Sequence, residues 1–235
     1  MVIISYNRMN RRIRRFLKKL RLRPIKVFLF HQVSDVYDEQ TMKKGDWTEI
    51  EHFKQKITAF RKGDRFISLS DAYDKLKKDV FRCGRYAVLT SDDGWASLNN
   101  ILPWLDKHSI PITLFVNPAY FDGEHFREKD TEKYLTHKDI MEICSKYPLV
   151  SIGLHGWEHV RVTGLSEIEF RDSLDKSLEV LRQLPNFVPF FCYPYGDCNE
   201  MSERVLKEYN LVPVLVDGGS NIDEYTHIHR ILIDG

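Results

Sequence analysis

Asp92 and Asp93 stand side by side at the end of an apolar run, in the stretch RYAVLTSDDGW from Arg85 to Trp95. Tyr86, Ala87, Val88, Leu89 and Thr90 are the residue types of a buried strand. Two adjacent carboxylates at such an end repel each other and lose hydration. A fold tolerates that when one carboxylate holds a cation and the other handles protons. Taken alone the stretch also reads as a polar turn, because Asp-Gly is a common turn pair. A second stretch, HGWEH, places His155 and His159 four residues apart just beyond another apolar run, with Gly156 permitting a sharp turn. Two neutral imidazoles and one carboxylate, Asp93, make a three-ligand set with positions left for water and substrate. Such a set suits one divalent ion: zinc is expected, and cobalt, nickel, iron or manganese would serve. HGWEH also fits the H-x-x-E-H pattern of an inverted zinc peptidase, which requires a continuous helix across 155–159. The preceding VSIGL reads as strand, Gly156 is a poor helix residue, and that scheme leaves Asp92 and Asp93 unused.

The elements that must position these side chains alternate along the chain. Strands are expected at IKVFLF (25–30), RFISL (65–69), the run ending at Asp92, PITLFVN (111–117), VSIGL (150–154), FVPFFCYPYG (187–196, strand into turn), VPVLV (212–216) and HIHRILI (227–233). Helices are expected near 50–62, over SDAYDKLKK opened by Ser70 or Asp71, along the stripe Leu98, Ile101, Leu102 and Leu105, from a Thr136 cap to about Lys146, after a Ser166–Glu169 capping box, and over SERVLKEY. Pro103 is a blemish in its helix, and a polar loop spans about 120–135. This order predicts a single α/β domain with a mostly parallel sheet. His31, Asp92, Asp93, Asn117, His155, Tyr195 and Asp217 each follow an apolar strand. In a barrel of parallel strands those ends share one face, where active sites sit.

The 235 residues carry a formal net charge of +1, which gives no general attraction to nucleic acid. Residues 1–34 nevertheless hold ten Lys or Arg and no Asp or Glu, which leaves 25 basic against 34 acidic residues beyond them. Residues 1–24 form a basic arm, in which NRRIRRFLKKLRL (10–22) aligns Ile13, Phe16, Leu17 and Leu20 on one helical face. Through residues 8–26 that arm suits peripheral contact with an anionic membrane, or equally packing as an extra helix on the domain at 25–235. There is no signal-peptide pattern and no apolar run of transmembrane length, so a cytoplasmic protein is expected, with peripheral placement on the inner face of the membrane as a variant. Cys83, Cys144, Cys192 and Cys198 lack C-x-x-C spacing and are expected as free, mostly buried thiols.

The motifs together resemble the NodB-type polysaccharide deacetylases, carbohydrate esterase family 4. T-F-D-D-G is matched by Thr90-Ser91-Asp92-Asp93-Gly94, H-[ST]-x-x-H by His155 to His159, and R-x-P-Y by Cys192-Tyr193-Pro194-Tyr195. The segment FLFHQVSD (28–35) is similar to the Y-H-x-V-S opening of many members. The resemblance covers about residues 25–233. It implies a distorted (β/α)7 barrel that hydrolyses N-acetyl groups on amino sugars or polysaccharides, releasing acetate. It makes Asp92 the general base, Asp93, His155 and His159 the metal ligands, and the Tyr195 N–H an oxyanion donor. It also makes His31 the catalytic acid, as in the branch with a shifted motif order; His227 and His229 are weaker candidates. Trp95, Trp157 and Tyr193 would line the sugar's apolar face, though core packing accounts for them as well. Ser91, Gly156 and Cys192 depart from the family pattern. Cys192 occupies the place of an Arg that orients the base, a role Arg230 on the last strand could take, and Asp217 could orient His31. A non-catalytic carbohydrate-binding protein on a degenerate barrel is the second function these departures allow.

Overall fold

The computed structural model describes residues 25–35, 47–78, 85–123, 133–217, 221 and 226–233. The basic arm and part of the polar loop lie outside the described residues, as does Cys83. The strands are β1 (Ile25–Phe30), β2 (Gln32–Val33), β3 (Trp47–Thr48), β4 (Arg65–Phe66), β5 (Tyr86–Ser91), β6 (Ile112–Val116), β7 (Val150–Leu154), β8 (Phe187–Cys192), β9 (Val212–Leu215), β10 (Ile228–His229) and β11 (Ile231–Leu232). The helices are α1 (Ile50–Arg61), α2 (Leu69–Lys77), α3 (Leu102–Lys107), α4 (His137–Lys146), α5 (Glu167–Leu181) and α6 (Glu200–Glu208). Among the described residues no helix is long and apolar enough to cross a membrane.

The main sheet is parallel throughout and runs β10-β9-β8-β7-β6-β5-β1-β11, with β4 paired to the start of β5. β10 and β11 are two halves of one strand, interrupted at Arg230. The first half pairs with β9 and the second with β1, which wraps the sheet into a nearly closed barrel. Where β1 and β10 leave a gap, buried Asn221 bridges it. Its amide donates to Ile25 O (3.2 Å) and His229 O (2.7 Å), and its Oδ1 accepts from His229 N (2.9 Å). This is the expected distorted (β/α)7 architecture in a single domain.

Alternation along each strand separates two apolar layers. Val27, Val88, Phe115, Phe190, Val214 and Ile228 fill the interior, together with Leu69, Ala72 and Leu76 of α2. Phe28, Leu89, Leu114, Ile152 and Phe191 face outward onto helices, including Phe170, Leu174, Leu178 and Leu181 of α5. α2 corrects the sequence expectation. The strand stops at Phe66, and the helix begins at Leu69 under a Ser68 cap that accepts from Asp71 N at 3.1 Å. Burying Leu69 with Ala72 and Leu76 as one helical stripe outweighs the strand-like look of RFISL. Pro103 breaks its segment into a 3-10 turn (Ala96–Asn100) and α3, and falls in the first turn of α3, where a missing N–H costs nothing. The Thr136 cap and the Ser166–Glu169 capping box form as expected, and Thr136 in addition completes a box with Asp139.

Gly153 of β7 faces the interior, and a Cβ there would lie 2.5 Å from the Phe115 ring. Gly153→Ala is expected to destabilise the barrel by about 1–3 kcal/mol through overpacking, read as a lowered thermal midpoint; an unchanged midpoint would show that the ring moves aside freely.

Candidate active site

The strand ends deliver their inward side chains to one rim. β1 and β5 pair Leu29 with Thr90 and Phe30 with Ser91, so His31 and Asp92 follow side by side. Beyond Asp92 the chain turns sharply, with Asp93 at φ 70° and Gly94 at φ 74°. A left-handed non-glycine residue costs about 1 kcal/mol or more. It sends the two neighbouring carboxylates to different partners.

Asp93 meets both histidines. Its Oδ1 lies 3.4 Å from His155 Nε2 and 3.2 Å from His159 Nε2. His155 Nδ1 is 2.8 Å from the Cys192 carbonyl, which can only accept. Nδ1 therefore carries the proton in the neutral ring and Nε2 offers its lone pair, the arrangement metal-binding histidines use. Burial alone would lower the His155 pKa; the Cys192 sulfur and the Asp93 hydrogen bond outweigh it and hold the ring's proton well above the ordinary range. The ligand atoms of Asp93, His155 and His159 all lie within 4.8 Å of one another. Two ligands ~2.0 Å from a tetrahedral zinc ion sit ~3.3 Å apart, so the donor set and its spacing fit such an ion.

The backbone from His155 to His159 is not helical, and Gly156 has φ 84°. This removes the zinc-peptidase alternative, whose two histidines must share a helix face. The loop is held from several sides. Asn117 Nδ2 donates to His155 O (2.5 Å) and Gly156 O (3.3 Å), Trp157 N to Ser173 Oγ (3.1 Å), and His159 N to Tyr120 Oη (3.3 Å). The sequence pointed to Asn117 only as a polar strand end. Tyr120 and Ser173 carried no recognisable signal.

Trp95 and Tyr193 are both buried, in line with the core-packing account of them. Trp95 is 5% exposed, stacks on Tyr134, and donates its indole N–H to Asp93 Oδ2 at 3.2 Å. It turns the carboxylate so that Oδ1 faces the histidines. Tyr193 is 1% exposed, set edge-on against Phe191 with its hydroxyl beside Ser202. Strand alternation points it outward, opposite to Cys192. Both side chains are thus packed among protein groups, Trp95 against Tyr134 and Asp93 and Tyr193 against Phe191 and Ser202. Tyr195 is 53% exposed, with φ 60°. Its ring sits edge-on to His159 (4.5 Å between centroids) beneath the Arg161 guanidinium, which also pairs with Asp197.

Asp92 faces the barrel interior. Arg230 Nη1 and Nη2 donate to its two oxygens at 2.6 and 2.8 Å, and Cys192 Sγ lies 3.3 Å from Oδ2. Burial alone would raise the Asp92 pKa; the Arg230 charge and hydrogen bonds override it, and the net shift is downward. Asp92, His155 and Cys192 also form a possible ligand group. There the Arg230 guanidinium already occupies the cationic place, against both Asp92 and the sulfur. Asp217 accepts from His229 Nδ1 at 2.8 Å, and His227 Nε2 lies 3.0 Å from Glu203 Oε1. Cys144 and Cys192 are buried free thiols and Cys198 is partly exposed.

No curated protein matches the chain significantly. Among solved structures, IcaB from Ammonifex degensii is similar at 20% identity and a TM-score of 0.76, covering 89% of this chain and 91% of that one. Streptococcus pyogenes deacetylase PplD, solved with acetate, has 21% identity and a TM-score of 0.74 over 90% and 93%. The de-N-acetylase from Aggregatibacter actinomycetemcomitans has 17% identity and a TM-score of 0.74 over 90% and 95%. At these identities the likeness establishes the fold. Residues 81–214, more than half of the chain, match the polysaccharide deacetylase family model. By that match, and with the Asp/His site its motifs predict, the chain belongs to the polysaccharide deacetylase family, metal-dependent hydrolases that de-N-acetylate glycans.

Proposed function

We propose that the rim is the catalytic centre of a metal-dependent hydrolase. It removes N-acetyl groups from an amino-sugar-containing glycan or glycan precursor and releases acetate. The observation that carries this is the division of labour between two adjacent carboxylates: Asp93 turned to His155 and His159, Asp92 turned away to a buried arginine. Asp93 Oδ1, His155 Nε2 and His159 Nε2 would hold one divalent ion, zinc by donor type, which when bound polarises the amide carbonyl and lowers the pKa of a nearby water.

The chain's own groups do the rest. Asp92 is held ionised and accepts the proton of the attacking water. The Tyr195 N–H donates to the developing oxyanion, a contribution often worth ~3 kcal/mol per donor. His31, beside Asp92 on the neighbouring strand, gives a proton to the departing amine.

Acetate release from N-acetylated amino sugars, with zinc or cobalt supplied, tests the activity. Sugar binding without any release would favour the non-catalytic alternative. His31→Ala is expected to slow turnover about 10²–10³-fold with metal content retained. A fully active variant would move the acid to His227 or His229.

A further inference from the structure

Arg230 is the residue at which the closing strand changes partners, from β9 to β1. Its side chain is 0% exposed. A guanidinium has five N–H donors in a rigid fork, and here each has an acceptor. Nε reaches Leu215 O (3.3 Å), and Nη1 reaches Thr90 Oγ1 (3.2 Å) and Asp92 Oδ1 (2.6 Å). Nη2 reaches Asp92 Oδ2 (2.8 Å) and Cys192 Sγ (2.8 Å). The acceptors come from β5, β8 and β9, so three strands fix the fork and the fork fixes the carboxylate plane. Paired N–H···O bonds of this kind add geometric specificity as well as energy.

Cys192 is the other half of the arrangement. Its sulfur lies within contact of both Asp92 and Arg230. A longer side chain at 192 would enter the volume the guanidinium fills. An arginine at 192 and an arginine at 230 are therefore alternatives for the same seat beside Asp92.

We infer that Arg230, delivered by the strand that closes the barrel, is the positioning residue for Asp92, and that the small Cys192 side chain is what admits it. This rests on Asp92 acting as the base in the proposed hydrolysis. Displacing a reacting group by about 1 Å costs on the order of 10²-fold, and without the fork nothing else among the described residues donates to both Asp92 oxygens to hold the carboxylate plane.

The test compares wild type, Arg230→Lys, Arg230→Val and the relocation variant Cys192→Arg/Arg230→Val. Each is assayed for acetate release, thermal melting and cobalt uptake by absorbance. Arg230→Lys keeps the charge but cannot span both oxygens. It is expected to lower kcat about 100-fold, with KM and cobalt uptake close to wild type and a lowered melting point at which the protein is still folded at the assay temperature. The relocation variant is expected to exceed Arg230→Val in kcat by about 10-fold or more, because the fork again meets Asp92 from position 192. A purely structural arginine predicts no such recovery. Arg230→Lys within about threefold of wild-type kcat, or a loss that only tracks the unfolded fraction, overturns the inference. No acetate release from wild type overturns the proposed hydrolysis and this inference together. An active wild type with an indifferent Arg230 overturns this inference alone.

Discussion

Asp92→Asn removes turnover, by about 10³-fold or more, while metal content stays near wild type. An amide keeps the shape of the side chain but cannot take a proton, and positioned proton transfer contributes about 10²–10⁴-fold. The same change strands a charge. Arg230 is buried and donates to both Asp92 oxygens, and removing one partner of a buried pair typically costs about 3–5 kcal/mol. The variant should therefore melt well below wild type at neutral pH. The pH dependence has a definite sign. Asp92 has a folded pKa below its ordinary value of 3.8. Its contribution is fully present above that value and is lost as pH falls through the folded pKa. The melting gap between wild type and variant should narrow in acid. If metal and activity disappear together in Asp92→Asn, Asp92 belongs to the ligand set and the base must be sought elsewhere.

His155→Ala should lose metal and activity together. The imidazole is buried, locked by the Cys192 carbonyl, with its second nitrogen facing Asp93. Removing an outer partner of a metal site costs about 10–100-fold in affinity, and removing a direct ligand should exceed that. Metal analysis of the purified variant should show less than about a tenth of an equivalent, and added zinc or cobalt should not restore turnover. Wild type stripped by a chelator should recover on the same additions. A variant that still binds one equivalent would remove His155 from the ligand set.

Much of this site could be foreseen because its parts are local. Asp92, Asp93, His155 and His159 sit within a few residues of the strands that carry them, and a strand's end can be read from its own apolar run. The HGWEH loop was legible as a turn because Gly156 stands where the backbone becomes left-handed. For Trp95 and Tyr193 the sequence allows both a sugar-lining and a core-packing place, and the reason is physical. Whether an aromatic at a strand's end reaches the rim or the core depends on which face it takes and what covers that face. For Trp95 the cover is Tyr134, itself stacked on Tyr120; for Tyr193 it is the helix carrying Ser202. The break at Arg230 was invisible for a similar reason. HIHRILI reads as one continuous strand, and only barrel closure divides it between two neighbours.

The guanidinium that balances Asp92 lies 138 residues farther along the chain. At translation rates of about 5–20 residues per second, roughly 7–28 s separate the synthesis of the carboxylate from that of its counter-charge. During that interval neither the counter-charge for Asp92 nor the strand that covers the outer edge of β1 has been made. Chains stalled on the ribosome before Arg230 should expose that edge to chaperones and proteases, whereas the same chains released beyond residue 233 can seal it.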